Sequence, residues 1–228
     1  AALALFCSLG YFMVSLSSFL FGIAAVAVVC LVSRHALSNP VLGLVLAGIM
    51  VGSLFSSATS FIKLVADPTN VLPAITYWLM GSLASIRPKD LLFVSIPIFC
   101  GLIPLLLLRW RMNVLTLGED EARTIGINTS VLRTIVIICA TLITAASVSV
   151  SGMIGWVGLV IPHFVRMMVG CDYRVSLPAS ILLGGSYLIM VDNLSRMLTT
   201  SEVPLGILTA FVGAPFFLYL IVREGKKL

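Results

Sequence analysis

Seven uncharged runs dominate this chain: 1–33, 35–62, 68–86, 91–108, 134–165, 175–191 and 203–222. About 20 mainly apolar residues cross a bilayer as a helix, because lipid offers no partner to backbone N–H and C=O groups and each must be satisfied within the helix. Most of the runs reach that length. Of the 228 residues 60% are hydrophobic and 10% charged, against roughly 45–50% and 25% in soluble chains, and the mean hydropathy is +1.15. A water-soluble globule is excluded, because too few polar side chains exist to cover its outside.

Two runs, 1–33 and 134–165, exceed one helix. Cutting them near Gly10-Tyr11 and Ser151-Gly152 leaves a short stub and seven full spans: 12–32, 41–62, 91–108, 134–150, 153–169, 176–197 and 204–222. The expected fold is all-α, a polytopic transmembrane bundle forming one domain over 1–228. The chain opens on Ala-Ala-Leu inside an apolar segment, with no Met, basic stretch or small-residue cleavage site. A signal peptide is therefore a poor reading, and an N-terminal portion is expected to be missing.

Lys and Arg set the orientation, since cytoplasmic loops carry their excess. Alternating the loops gives one side Arg34, Arg109, Arg111, Arg123, Arg133, Arg166, Arg174, Arg223, Lys226 and Lys227, and the other side Lys63, Arg87, Lys89 and Arg196. Ten against four places the 109–133 loop and the C-terminus in the cytoplasm and 65–90 outside. This bias accounts for the net charge of +5, and no basic patch interleaved with aromatics calls for a nucleic-acid partner. Cys7, Cys30, Cys100, Cys139 and Cys171 are scattered, without CxxC or zinc spacing, and read as small hydrophobes. No metal site, cofactor or disulfide is expected.

Two loops break the apolar pattern. The segment 65–90 holds Asp67-Pro68, Asn70, Pro73 and the aromatic stretch 75–81, too brief to span; it reads either as an interfacial anchor or as the roof of a cavity. The segment 109–133 is the polar peak. Thr116 and Glu119 have capping-box spacing, and Glu119, Asp120 and Glu121 suit the positive first turn of a short helix over 117–125. Gly118, Ala122 and Gly126 recur every four residues, leaving one bare face on which another backbone or a bulky knob can seat.

Ionisable groups inside the bilayer are costly, and few occur. Asp192 and Arg196 lie one turn apart and can neutralise each other; His163 and Arg166, after Pro162, read as end anchors. A proton-coupled pump needs a mid-depth chain of such groups, which is lacking. Gly152, Gly155 and Gly158, then Gly184-Gly185 and Gly213-Ala214-Pro215, read as packing positions. Ser53, Ser56, Ser57, Thr59 and Ser60 either line a wet path or bond back to helix carbonyls.

The ordered motifs SGMIGWVGLVIPHFVR at 151–166, GCDYR at 170–174, LPAS at 177–180, DNLSR at 192–196 and EVPLGILTAFVGAPFF at 202–217, with YWLMG at 77–81 and LGEDEARTIG at 117–126, closely resemble the FecCD-like permeases of binding-protein-dependent ABC importers. The resemblance covers essentially the whole chain. It implies a subunit of about ten helices in a homodimer of a prokaryotic inner membrane, resting on a cytoplasmic ATPase dimer and fed by an extracytoplasmic binding protein. It further implies that Gly118, Glu119, Glu121, Ala122, Arg123 and Gly126 belong to the coupling helices seated on the ATPase, and that the second span and the outer segment line the pathway at the dimer axis. Cargo of the family includes ferric siderophores, haem, cobalamin and molybdate; a ferric siderophore is the expected one.

The departures are the absence of the family's first helices with their Asn-Pro motif and Cys171 in place of Pro before Asp172, which bears on the rigidity of that turn. Gly225-Lys226-Lys227 lacks the spacing and Ser/Thr of a phosphate loop, so ATP hydrolysis is expected in a partner chain and no catalytic residue here. An ion-coupled secondary transporter and a non-transporting scaffold are the rival readings; both leave the Gly118, Ala122, Gly126 pattern unexplained.

Overall fold

The computed structural model describes every residue except 36–39, 117, 199–201 and 225–228. The described residues form helices α1 (Ala2–Phe6), α2 (Tyr11–His35), α3 (Pro40–Val65), α4 (Val71–Met80), α5 (Pro88–Leu115), α6 (Glu119–Thr124), α7 (Thr129–Ser151), α8 (Val157–Val169), α9 (Tyr173–Leu198) and α10 (Leu205–Glu224), with no strand among them. The all-α bundle read from the runs is the observed class.

Local chemistry sets several of the boundaries. Pro88 opens α5, where its missing N–H costs nothing, and Asp90 Oδ2 accepts from Arg87 N at 3.0 Å. Asn128 caps α7, its side-chain oxygen accepting from Val131 N at 3.1 Å.

Five helices, α2, α3, α5, α7 and α9, are long and apolar enough to cross a membrane; α4, α8 and the apolar part of α10, Leu205–Tyr219, are shorter. The expected full span 153–169 is corrected. Gly152 and Trp156 both take positive φ, +67° each, so the backbone leaves the helix there and α8 begins only at Val157. Its 13 residues rise about 20 Å, short of the roughly 30 Å hydrocarbon layer.

Packing is built on α7, which lies between α2 and α5. Small side chains bring the backbones close: a Cβ on Gly101 of α5 would stand 2.7 Å from Cys139 O, and one on Gly22 of α2 would stand 3.2 Å from Ala145 Cβ. Ala146 and Ser149 are buried at the same seam. Around Val94, Ala146 and Val150 gather Phe19, Ile86, Phe93 and Ile98. The outward surface remains apolar, with Leu64, Leu107, Leu182 and Met197 exposed, as a lipid-facing bundle requires.

Candidate functional site

The polar segment after α5 folds as a compact corner. Thr116 ends α5, its hydroxyl donating to Asn113 O at 2.6 Å. Gly118, at φ +130°, stands at the N-cap of α6, so Thr116 ends α5 and is not the cap of the next helix. The Glu121 carboxylate folds back over Gly118, where a Cβ would collide with it. Leu117, with the side chains of Glu119 and Asp120, lies outside the described residues. Downstream, Gly126 N–H donates to Arg123 O at 2.9 Å and Ile127 N–H to Ala122 O at 3.1 Å. With Gly126 at φ +84°, this is a Schellman termination, which satisfies two carbonyls at the helix end.

The bare face read from Gly118, Ala122 and Gly126 is interrupted at its middle: Gly126 is exposed with nothing within 4 Å of a Cβ, but Ala122 is not open. Ala122 has no exposed surface, and α6 packs against α5 and α7. Its methyl is not offered to a partner. Among the described residues Glu121, Arg123, Thr124, Ile125 and Gly126 are exposed, Ile125 at 55%. Of the three small residues only Ala122 is packed inside; the Glu121 carboxylate covers Gly118, and Gly126 stays open.

On α3, Ser53, Ser56, Ser57 and Ser60 fall within one stripe of about 100° and all are exposed. Ser53 donates to Ile49 O at 2.9 Å and Thr59 to Phe55 O at 2.8 Å, so part of the polar run bonds back to its own helix. Among the packed helices α3 contacts chiefly α2 and α1, which leaves the serine stripe unburied.

The 65–90 segment turns on Asp67, whose carboxylate accepts from the Thr69 hydroxyl at 2.8 Å and from Asn70 N at 3.0 Å. The Thr69 hydroxyl, then the Asn70 amide, hold its pKa below the ordinary 3.8. The aromatic stretch is α4; Ile75 at its middle is fully buried, while Tyr77 and Met80 are exposed. Ser82 N–H donates to Ser151 O at 2.8 Å and Leu205 N–H to Gly81 O at 2.9 Å. At this junction a Cβ on Gly81 would lie 2.6 Å from Met153 O, one on Gly152 would lie 3.1 Å from Gly81 Cα, and one on Gly206 would lie 3.1 Å from Met153 O. Three glycines thus let the end of α4, the break before α8 and the start of α10 touch backbone to backbone. Beside it Trp156 packs on Gly213 and meets Phe217 edge-on, 6.2 Å between centroids. An apolar cavity of about 740 Å³ opens there between Met80, Met153, Trp156, Ile207 and Phe211.

Asp192 and Arg196 pair as the spacing predicts, Nε to Oδ2 at 3.0 Å, and Glu202 lies 3.8 Å from the same guanidinium. Arg196 is about half exposed, so solvent screens the pair and it adds little to stability. Arg166 Nε donates to Pro162 O at 3.3 Å, folding back on its own helix end. Among the described residues no three His, Cys, Asp or Glu side chains come together as a metal would need.

Residues 1–223 match the FecCD transport family. The chain belongs to that family. It is 40% identical over 222 residues to a molybdate import system permease of Haemophilus influenzae, covering 97% of this chain and 66% of that protein. It is 39% identical to a probable iron chelatin transport system permease of Helicobacter pylori, covering 89% and 62%, and 41% identical to a cobalamin import system permease of Halobacterium salinarum, covering 87% and 53%. Among solved structures it matches a metal-chelate type ABC transporter in an inward-facing conformation with TM-score 0.91 at 40% identity, over 97% of this chain and 71% of that one. The chain thus spans between about half and two thirds of the length of these curated relatives.

Two features of this FecCD chain escaped the sequence reading. The junction of Gly81, Gly152 and Gly206 joins positions up to 125 apart; the glycines were visible, their meeting was not. The turn between α8 and α9 was judged only for Cys171. It is held instead by Gly170 at φ +85° and by Asp172, whose carbonyl and carboxylate cap α9. Exposed Cys171 carries none of these bonds.

Proposed function

We propose that this FecCD chain is the membrane-spanning part of an ABC importer permease that moves a metal chelate or oxyanion inward through a homodimeric pathway. The family match over residues 1–223 carries this reading, and the relatives named for molybdate, iron chelate and cobalamin import support it. On this reading 109–133 faces the cytoplasm with the C-terminus, 65–90 faces outward toward a binding protein, and the permease lies in a prokaryotic inner membrane. The ATPase seats on the outward face of α6, through Glu121, Arg123 and Ile125, with Gly118, Ala122 and Gly126 shaping the corner beneath. The serines of α3 line the pathway at the dimer axis.

Mechanically, ATP binding and hydrolysis in the partner move α6, and the rigid helices attached to it open the pathway to alternate sides. No group of this chain takes part in hydrolysis. The chain's role is to convert a displacement into a change of access. A ferric siderophore is the cargo proposed, with haem, cobalamin and molybdate as the alternatives within the family.

The test is uptake by proteoliposomes holding the full-length permease, ATPase and binding protein, offered labelled ferric siderophore, haem, cobalamin or molybdate with and without ATP. ATP-dependent entry of one ligand is expected. Entry driven by an ion gradient without ATP would replace this reading with a secondary transporter.

A further inference from the structure

We propose that Asn113 and Asp172 form a clasp that carries movement of α6 into α9. This rests on the reading of α6 as the seat of the ATPase. Asn113 stands in the last turn of α5, just before the chain leaves for α6. Its Nδ2 donates to Asp172 Oδ1, and its Oδ1 accepts the Tyr173 backbone N–H at 2.7 Å. Both polar atoms of this amide are thus committed to the start of α9 and none to its own helix. Asp172 Oδ1 also accepts from Arg174 N at 2.8 Å, and Arg109, one turn up α5, donates from NH1 to Arg174 O at 3.3 Å. The Arg174 amide, then the Asn113 amide, hold the Asp172 carboxyl below its ordinary pKa, so the acceptor is anionic and the bonds to it are of the stronger, charge-assisted kind.

The clasp sits where a lever needs it. α6 has only six residues, begins three residues after Thr116 ends α5, is closed by the Schellman turn and packs on α5 and α7. Displacing it displaces the end of α5. Helices α5 and α9 are rods of 28 and 26 residues, each about 40 Å long. At its far end α9 is tied to the lead into α10, the Ser195 hydroxyl donating to Val203 O at 2.5 Å. Leu205 then bonds Gly81 at the glycine junction. Hydrogen bonds and helix backbone therefore connect the end of α5 beside α6, through α9, to the glycine junction at the opposite end of the bundle.

A helix cap alone does not need Asn113, because Asp172 already accepts from Arg174 and its carbonyl from Ser176 at 2.8 Å. A cap lost for structural reasons would lower hydrolysis and uptake together; a lost clasp uncouples them. The complete complex in proteoliposomes is assayed for ATP hydrolysis and for uptake of whichever of labelled ferric siderophore, haem, cobalamin or molybdate the wild type takes up. For Asn113→Leu we expect hydrolysis within about twofold of wild type and uptake per ATP lower by about fivefold or more, the usual size of a coupling energy. The exchange N113D/D172N rebuilds an amide against a carboxylate and is expected to recover uptake per ATP. Unchanged uptake per ATP in Asn113→Leu overturns the clasp, as does a joint loss of hydrolysis and uptake that the exchange does not recover. Absence of ATP-dependent uptake in the wild-type complex is a separate result, which removes the underlying reading of α6.

Discussion

Gly81→Ala probes the junction that holds α4, the break before α8 and the start of α10 together. Gly81 has φ +74° and ψ 130°, a region that costs a residue with a Cβ about 1–3 kcal/mol. The added carbon would stand 2.6 Å from Met153 O and 2.9 Å from its carbonyl carbon. Those are backbone atoms, which cannot swing aside as a side-chain tip can. Crowding of this kind adds about 1–3 kcal/mol. Relief by separating the segments would strain the bonds Ser82 N–H to Ser151 O and Leu205 N–H to Gly81 O, each contributing about 1 kcal/mol. Strain with either crowding or its relief amounts to at least about 2 kcal/mol, a fall in unfolding midpoint of at least about 4 °C for a chain of this size.

Two controls separate these causes. Gly170→Ala carries backbone strain at φ +85° with nothing within 4 Å, and Gly155→Ala carries neither strain nor contact. Thermal unfolding in detergent is expected to rank Gly81→Ala lowest, Gly170→Ala between, and Gly155→Ala within about 0.5 kcal/mol of wild type. If Gly81→Ala melts at or above Gly170→Ala, the backbone contact at the junction is not what holds it.

Ile125→Glu changes an exposed side chain on α6; it is expected to weaken ATPase pull-down about tenfold if Ile125 lies in the contact, with the melting midpoint unchanged. Ala122→Trp overfills a buried position, and is expected to abolish pull-down and uptake while membrane insertion persists; unchanged uptake would sink the coupling role of α6. Ser56→Leu with Ser60→Leu alters only the exposed stripe of α3, and should lower uptake without changing stability or ATPase binding. Asp172 has a folded pKa below 3.8, so its contribution is present above that unfolded value and is lost as pH falls through the lowered one. The difference in midpoint between wild type and Asp172→Ala should therefore be constant around neutrality; a difference already gone near pH 6, in the histidine range, would contradict the assignment.

Hydropathy alone made the membrane bundle legible, because spanning helices must satisfy their backbone internally and so appear as long uncharged runs. It failed at 153–169 because an apolar run does not record φ: Gly152 and Trp156 leave the helix without adding a single polar residue. The α6 corner was found from its charge and small residues, yet periodicity could not tell inward from outward, and Ala122 turned inward. Asp192 and Arg196 were readable because one helical turn fixes their approach. Asn113 and Asp172 were not, since 59 residues separate them and only the packing of α5 on α9 brings them together.

The most direct test of the account is site-specific cross-linking in the assembled full-length complex, with the permease's native cysteines, Cys7, Cys30, Cys100, Cys139 and Cys171 among them, replaced and a single cysteine introduced. Ile125→Cys on α6 is predicted to cross-link to the ATPase alone, and Thr69→Cys in the 65–90 segment to the binding protein alone. Cross-linking of Ile125→Cys to the binding protein, or failure to reach the ATPase in a complex that is actively importing, would contradict the claim that α6 receives the driving motion.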